Sequence, residues 1–127
     1  MRPAKSISRK KSHILVADDH PLFREGLVQL INRERDLCCC GETDSVIATQ
    51  TAVLTLKPDL LVLDLQRLTF IDSSGLRFIL ESDLRARKES RRVAIVPGPE
   101  QVHRIFLIAL LDMRLDFIEP DQMETTS

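Results

Sequence analysis

The chain has 127 residues, 43% of them hydrophobic and 29% charged, with a formal net charge of −1. These are the values of one ordinary globular domain that can bury a core without disulfides or metals. A charge this close to zero excludes broad electrostatic attraction to nucleic acid, so no direct DNA binding is expected. No apolar run approaches the roughly 18 residues of a membrane span, and the basic start lacks the apolar core of a signal peptide. A cytoplasmic location is expected.

Residues 1–12 carry Arg2, Lys5, Arg9, Lys10 and Lys11 and no acid, which predicts a disordered basic tail. Ile14 to Asp18 reads as the first strand. Pro21 suits a first helical turn, and Phe23, Leu27, Leu30 and Ile31 follow helical spacing behind it. Leu37 to Cys40 reads as a second strand stopped by Gly41. Its cysteines are consecutive (Cys38, Cys39, Cys40), so neighbours point to opposite faces and cannot easily share one metal. They read as small core residues. Ser45 to Leu56 predicts a second helix, although Thr49, Thr51, Val53 and Thr55 lower its helix propensity.

Pro58 to Leu65 is a nearly continuous apolar run, typical of a central parallel strand. The third helix is expected from Ser73 to Lys88, with Leu76, Ile79, Leu80 and Leu84 on one face. Its end carries Arg85, Arg87, Lys88, Arg91 and Arg92, which complement the helix dipole. Arg92 to Val96 predicts strand four, Glu100 to Leu111 helix four, and Asp116 to Ile118 strand five. The polar tail 120–127 cannot make an apolar-faced helix, so the fold is expected to lack a final helix.

Alternating strands and helices predict an α/β, flavodoxin-like three-layer sandwich. Its five-stranded parallel sheet would run in the order 2-1-3-4-5 within a single domain, residues 13–119. Strands one and three then become neighbours, and ligands bind above their carboxyl ends. A missing final helix predicts an exposed apolar face near strands three to five, suited to a homodimer or another protein partner.

Asp18 and Asp19 end strand one and Asp64 lies near the end of strand three, so the expected order brings three carboxylates together. Like charges repel unless a cation compensates, and oxygen-only ligands suit Mg2+. A carboxylate beside such a cation can attack a phosphoryl donor. Asp64, on the central strand, is the candidate nucleophile. A structural role competes, because Asp19 or His20 could cap the helix opening at Pro21. No HExxH, CxxC or glycine-rich phosphate loop occurs, so a histidine metal site is not expected.

Ile14-Leu15-Val16-Ala17-Asp18-Asp19-His20-Pro21-Leu22-Phe23-Arg24-Glu25-Gly26-Leu27 and Lys57-Pro58-Asp59-Leu60-Leu61-Val62-Leu63-Asp64 resemble the first half of a response-regulator receiver domain. The resemblance spans residues 13–65. It implies that Asp18 and Asp19 hold Mg2+ and that Asp64 takes phosphate from a sensor histidine kinase. The family expects a Ser or Thr hydroxyl after strand four, where this chain has Val96-Pro97-Gly98. It expects a Lys after strand five, where this chain has Glu119-Pro120. The implied site therefore lacks the hydroxyl and the lysine that usually relay phosphorylation.

Asp72-Ser73-Ser74-Gly75-Leu76 opens helix three. Asp72 or Ser73 is an ordinary N-cap. A phosphate on Ser73 would sit in the positive field of the helix start and add charge to a recognition surface. With Leu63-Asp64-Leu65, Phe70-Ile71, Val93-Ala94-Ile95-Val96, Val102-His103-Arg104-Ile105-Phe106 and Arg114-Leu115-Asp116-Phe117, this turn resembles the second half of a STAS domain, the fold of anti-sigma-factor antagonists. That resemblance implies phosphorylation of Ser73 by an anti-sigma-factor kinase, with Asp72, Ser73, Ser74 and Gly75 at the partner surface. Receiver-like residues 13–65 followed by STAS-like residues 66–119 read as a chimera of natural or engineered origin. Neither resemblance implies a conventional enzyme. A chimera with a fold and no biological task is the third expectation.

Overall fold

The computed structural model describes residues 11–108 and 114–119. In chain order the elements are β1 (Ser12–Ala17), α1 (Pro21–Arg33), β2 (Leu37–Thr43), α2 (Val46–Leu56), β3 (Leu60–Asp64), α3 (Ser73–Lys88), β4 (Arg92–Val96), α4 (Glu100–Ile108) and β5 (Asp116–Phe117). The sheet order is β2-β1-β3-β4-β5 with every pair parallel. This is the flavodoxin-like order expected from the alternation of elements.

Strand alternation divides the core into two layers. Leu15, Leu61, Leu63, Val93 and Ile95 point to one face, where Ile79 of α3 and Val102 and Phe106 of α4 cover them. Ile14, Val16, Val62 and Val96 point to the other, against Leu27 and Ile31 of α1. Burial on both faces explains why β3 and β4 read as continuous apolar runs.

Three details depart from the sequence reading. β1 opens at Ser12, whose N–H donates to Asp36 O at 2.8 Å. β2 continues through Gly41 to Thr43, and its register against β1 slips between Ile14 and Leu15, leaving Cys40 as the extra residue. Gly41 is therefore a packing glycine and not a strand stop: a Cβ there would lie 2.7 Å from Leu56 Cδ1 and 3.2 Å from Leu15 Cδ1. The absent side chain lets the end of α2 lie close to the sheet. Finally, among the described residues the apolar exposure expected on the sheet near strands three to five lies on α4, where Ile105, Leu107 and Ile108 are exposed, while Val62, Ala94 and Val96 on β3 and β4 are buried. Residues 109–111 of helix four, the tail 120–127 with its missing helix, and residues 1–10 of the basic tail lie outside the described residues.

α2 forms despite its threonines because their hydroxyls satisfy polar groups locally. Thr49 Oγ1 donates to Ser45 O at 2.7 Å, and Thr55 Oγ1 to Thr51 O at 2.8 Å. Thr49 and Thr43 are buried and their hydroxyls meet at 2.7 Å. Ser45 caps the start by accepting from Ala48 N, and Lys57 ends the helix in the left-handed region at φ 47°.

The basic cluster after α3 is largely engaged in structure. Arg87 pairs with buried Asp83 at 2.8 Å and donates to Arg114 O. Arg91 bridges to Glu89 and to Pro58 O, and Arg92 pairs with Asp116.

Candidate functional site

β1 and β3 are adjacent and in register, Val16 opposite Val62 and Ala17 opposite Leu63. Their carboxyl ends deliver Asp18 and Asp64 to the same place, and both side chains are buried. Asp18 is held by its backbone, with its N–H on Thr43 O at 3.0 Å and its carbonyl accepting from Arg24 Nη1 at 2.8 Å. Its Oδ1 accepts from His20 N at 2.9 Å. Its Oδ2 is buried without a hydrogen-bond partner among the described residues. Asp64 accepts from Gln66 N at 3.0 Å and from Gln66 Nε2 at 3.2 Å.

Burial, and then a proton-sharing contact with Asp64, push the Asp18 carboxyl up to about 7, with the charges of Asp64 and Asp19 adding to the shift. The contact explains the orphaned oxygen. Two ionised carboxylates both accept and cannot bond each other, whereas a proton on Asp18 gives the pair a donor.

Asp19 is exposed. Among the described residues no group of three or more His, Cys, Asp or Glu is close enough to hold a metal ion. The fold thus brings together two of the three expected carboxylates, and Asp19 contributes charge from the rim. Capping of α1 falls to His20, whose Nδ1 accepts from Phe23 N at 3.4 Å.

A cavity of about 330 Å³ opens over this pair, with Asp18, Asp19, Asp44, Asp64 and Asp72 among its lining residues and no lysine or arginine. Asp72 and Gly75 belong to the serine turn, so both sequence-derived sites border one hollow. Asp72 is the N-cap of α3: its Oδ1 accepts from Gly75 N and from Ser74 Oγ, both at 2.8 Å. These bonds hold its carboxyl below the usual range. Ser73 is the first residue of α3 and is exposed, outside the cavity lining.

Sequence reasoning missed Gln66, Arg24 and Asp44. Gln66 braces Asp64, Arg24 ties the end of β1 to Glu42 at 3.2 Å, and Asp44 lines the cavity. Each acts across a turn or between strands, and no spacing rule reports such contacts. The three cysteines are half-buried at the edge of the core, Cys40 packing against one layer and Cys39 against the other, and burial pushes both thiols upward.

Comparison with known proteins points in two directions. A protein-glutamate methylesterase/protein-glutamine glutaminase of Albidiferax ferrireducens is 35% identical over 71 residues, 54% of this chain and 19% of that protein. The sensory transduction protein LytT of Enterococcus faecalis is 38% identical over 63 residues, 50% of this chain and 25% of that protein. The chain thus spans a quarter or less of these relatives. The signal receiver domain of the putative response regulator NarL from Mycobacterium tuberculosis superposes with a TM-score of 0.61 at 26% identity, covering 85% of this chain and 82% of that one. The receiver domain of the stress response regulator RcsB from Escherichia coli superposes at 0.64 with 17% identity, over 91% and 86%, a likeness of fold alone. No helix among the described residues is long and apolar enough to cross a membrane. The model of the family described as Mlab, STAS domain matches residues 42–119, well over half of the sequence. The chain belongs to that STAS family and carries it on the five-stranded sheet of a receiver domain.

Proposed function

We propose that this chain is a phosphorylation-regulated signalling domain whose phosphoryl acceptor is Asp64, served by a sensor histidine kinase. One observation carries the reading. Asp18 and Asp64 meet at the carboxyl ends of adjacent strands, both buried and both in the lining of an acidic cavity. An all-carboxylate donor set fits a hard cation such as Mg2+. Asp18 and Asp64 would hold it, with Asp19 beside them. When bound, the cation would neutralise the carboxylates and polarise a phosphoryl oxygen. Gln66 orients the Asp64 carboxylate. Cation binding also removes the reason for Asp18 to keep its proton.

Acetyl phosphate with Mg2+ tests the acceptor. One phosphoryl adduct is expected by intact mass, and it should disappear in Asp64→Asn. Labelling that persists in that variant eliminates Asp64.

A second reading places the switch at Ser73. Its exposure at the first turn of α3, beside the capping Asp72, favours it, as does the family match over residues 42–119. The partner would then be an anti-sigma-factor kinase, bound through the Asp72–Gly75 turn and released by phosphorylation. Binding to such a kinase that is unaffected by Ser73→Asp would remove this reading. If both tests are negative, the receiver-like and STAS-like halves form a fold in which neither switch operates.

A further inference from the structure

We propose that α2 is the contact surface of a symmetric dimer, in which α2 of one chain packs antiparallel on α2 of a second copy. The helix Val46-Ile47-Ala48-Thr49-Gln50-Thr51-Ala52-Val53-Leu54-Thr55-Leu56 contains no charged residue. A surface helix ordinarily turns a charged face to water. Here the outward face is uncharged, with Ile47 76% and Leu54 62% exposed towards its two ends. Gln50 and Thr51, both exposed, lie between that pair along the helix.

The order of residues on this face identifies the occupant. A two-fold axis passing between Gln50 and Thr51 places Ile47 against Leu54 of the second copy and Gln50 against its Thr51. The same axis sets Asp44, just before the helix, against Lys57, just after it. Both are exposed, and neither forms an ion pair among the described residues. One symmetry operation thus buries both large apolar side chains, pairs both unmatched charges and sets the helix dipoles antiparallel. A partner unrelated to this chain would have to reproduce that pattern independently. The acid cavity opens beyond the N-terminal end of α2, where Asp44, Ser45 and Val46 are part of its lining.

A single helix face is small beside a standard interface, so the dimer should be weak, with a dissociation constant of roughly 10–500 µM. Sedimentation velocity of the whole chain over that range tests it. Asp44→Lys alone and Lys57→Glu alone each create two like-charge contacts across the axis. Each should weaken dimerisation about tenfold. An equimolar mixture of the two variants restores opposite charges at both contacts and should recover wild-type association. Ile47→Lys should abolish it, with circular dichroism confirming the fold. The proposal is overturned by a wild-type chain that stays monomeric throughout. It is equally overturned by a dimer indifferent to Ile47→Lys, or by a mixture that associates no better than its components.

Discussion

The carboxyl groups of Asp18 and Asp64 face each other across two neighbouring parallel strands, and one proton resolves the conflict between them. This pair dominates the electrostatics of the cavity. Under the proposed function, proton binding and cation binding would be alternatives at one place.

Its first consequence is a pH dependence of stability. Asp18 keeps its proton to about pH 7 in the folded chain, whereas an unfolded chain releases it near pH 4. Between these values the folded state binds more protons than the unfolded state, so stability falls as pH rises and levels off above 7. Asp18→Asn removes that loss. It should raise the melting temperature at pH 8 and change it little at pH 4. The gain at pH 8 is at most roughly 4 kcal/mol, at about 1.4 kcal/mol per pKa unit. A variant less stable than wild type at pH 8 would contradict the buried pair.

Mg2+ should act in the same direction on the wild-type chain, because it binds the ionised carboxylates and not the protonated pair. Thermal melts in millimolar Mg2+ are expected to show stabilisation at pH 8 that fades by pH 5. Asp18→Asn should lose most of this response. An equal shift at both pH values would point to a nonspecific salt effect.

The turn after β4 constrains the loop that follows Asp64. A Cβ on Gly98 would lie 2.8 Å from Leu65 O and 3.1 Å from Val102 Cγ1. Leu65 N also donates to Val96 O at 3.0 Å. Gly98→Ala must therefore push the two loops apart, at a cost of about 1–3 kcal/mol. Urea denaturation would measure the loss.

Thr49 ties α2 to the end of β2 through a buried hydroxyl pair. Thr49→Val keeps the shape but leaves Thr43 Oγ1 without that partner. The expected destabilisation is about 1–3 kcal/mol. A neutral substitution would mean that Thr43 finds another acceptor.

Phe106 of α4 is fully buried against the sheet, and its ring lies 5.2 Å from that of Phe117. Phe106→Ala should cost about 3–5 kcal/mol, a large share of the stability of a domain this size. Loss of a cooperative thermal transition at 37 °C would be consistent with that scale.

Elements of the fold with strong periodicity were legible in the chain itself. Burial on both faces forces an unbroken apolar run such as Leu60 to Leu63, and helix starts at Pro21 and Ser73 follow from local backbone chemistry. Sheet order followed too, because right-handed βα units leave few alternatives. Gly41 misled, since a glycine that permits close packing looks the same in sequence as one that ends a strand. The exposed sheet face misled as well: Val62 and Val96 are buried, and the exposed apolar side chains lie on helices and loops, among them Ile47 and Leu54 of α2, Ile108 of α4 and Phe70.

The sequence by itself determined the alternating elements, the apolar strands and the positions of Asp18, Asp64 and Ser73, because these depend on residues close in the chain. Only the tertiary structure decided that Asp18 is buried beside Asp64, its carboxyl pushed upward, while Asp19 remains at the rim. It also decided that Gln66 braces Asp64 and that the serine turn borders the acid cavity. Desolvation and contact distance control those outcomes, and both are properties of groups that meet only when the strands pair.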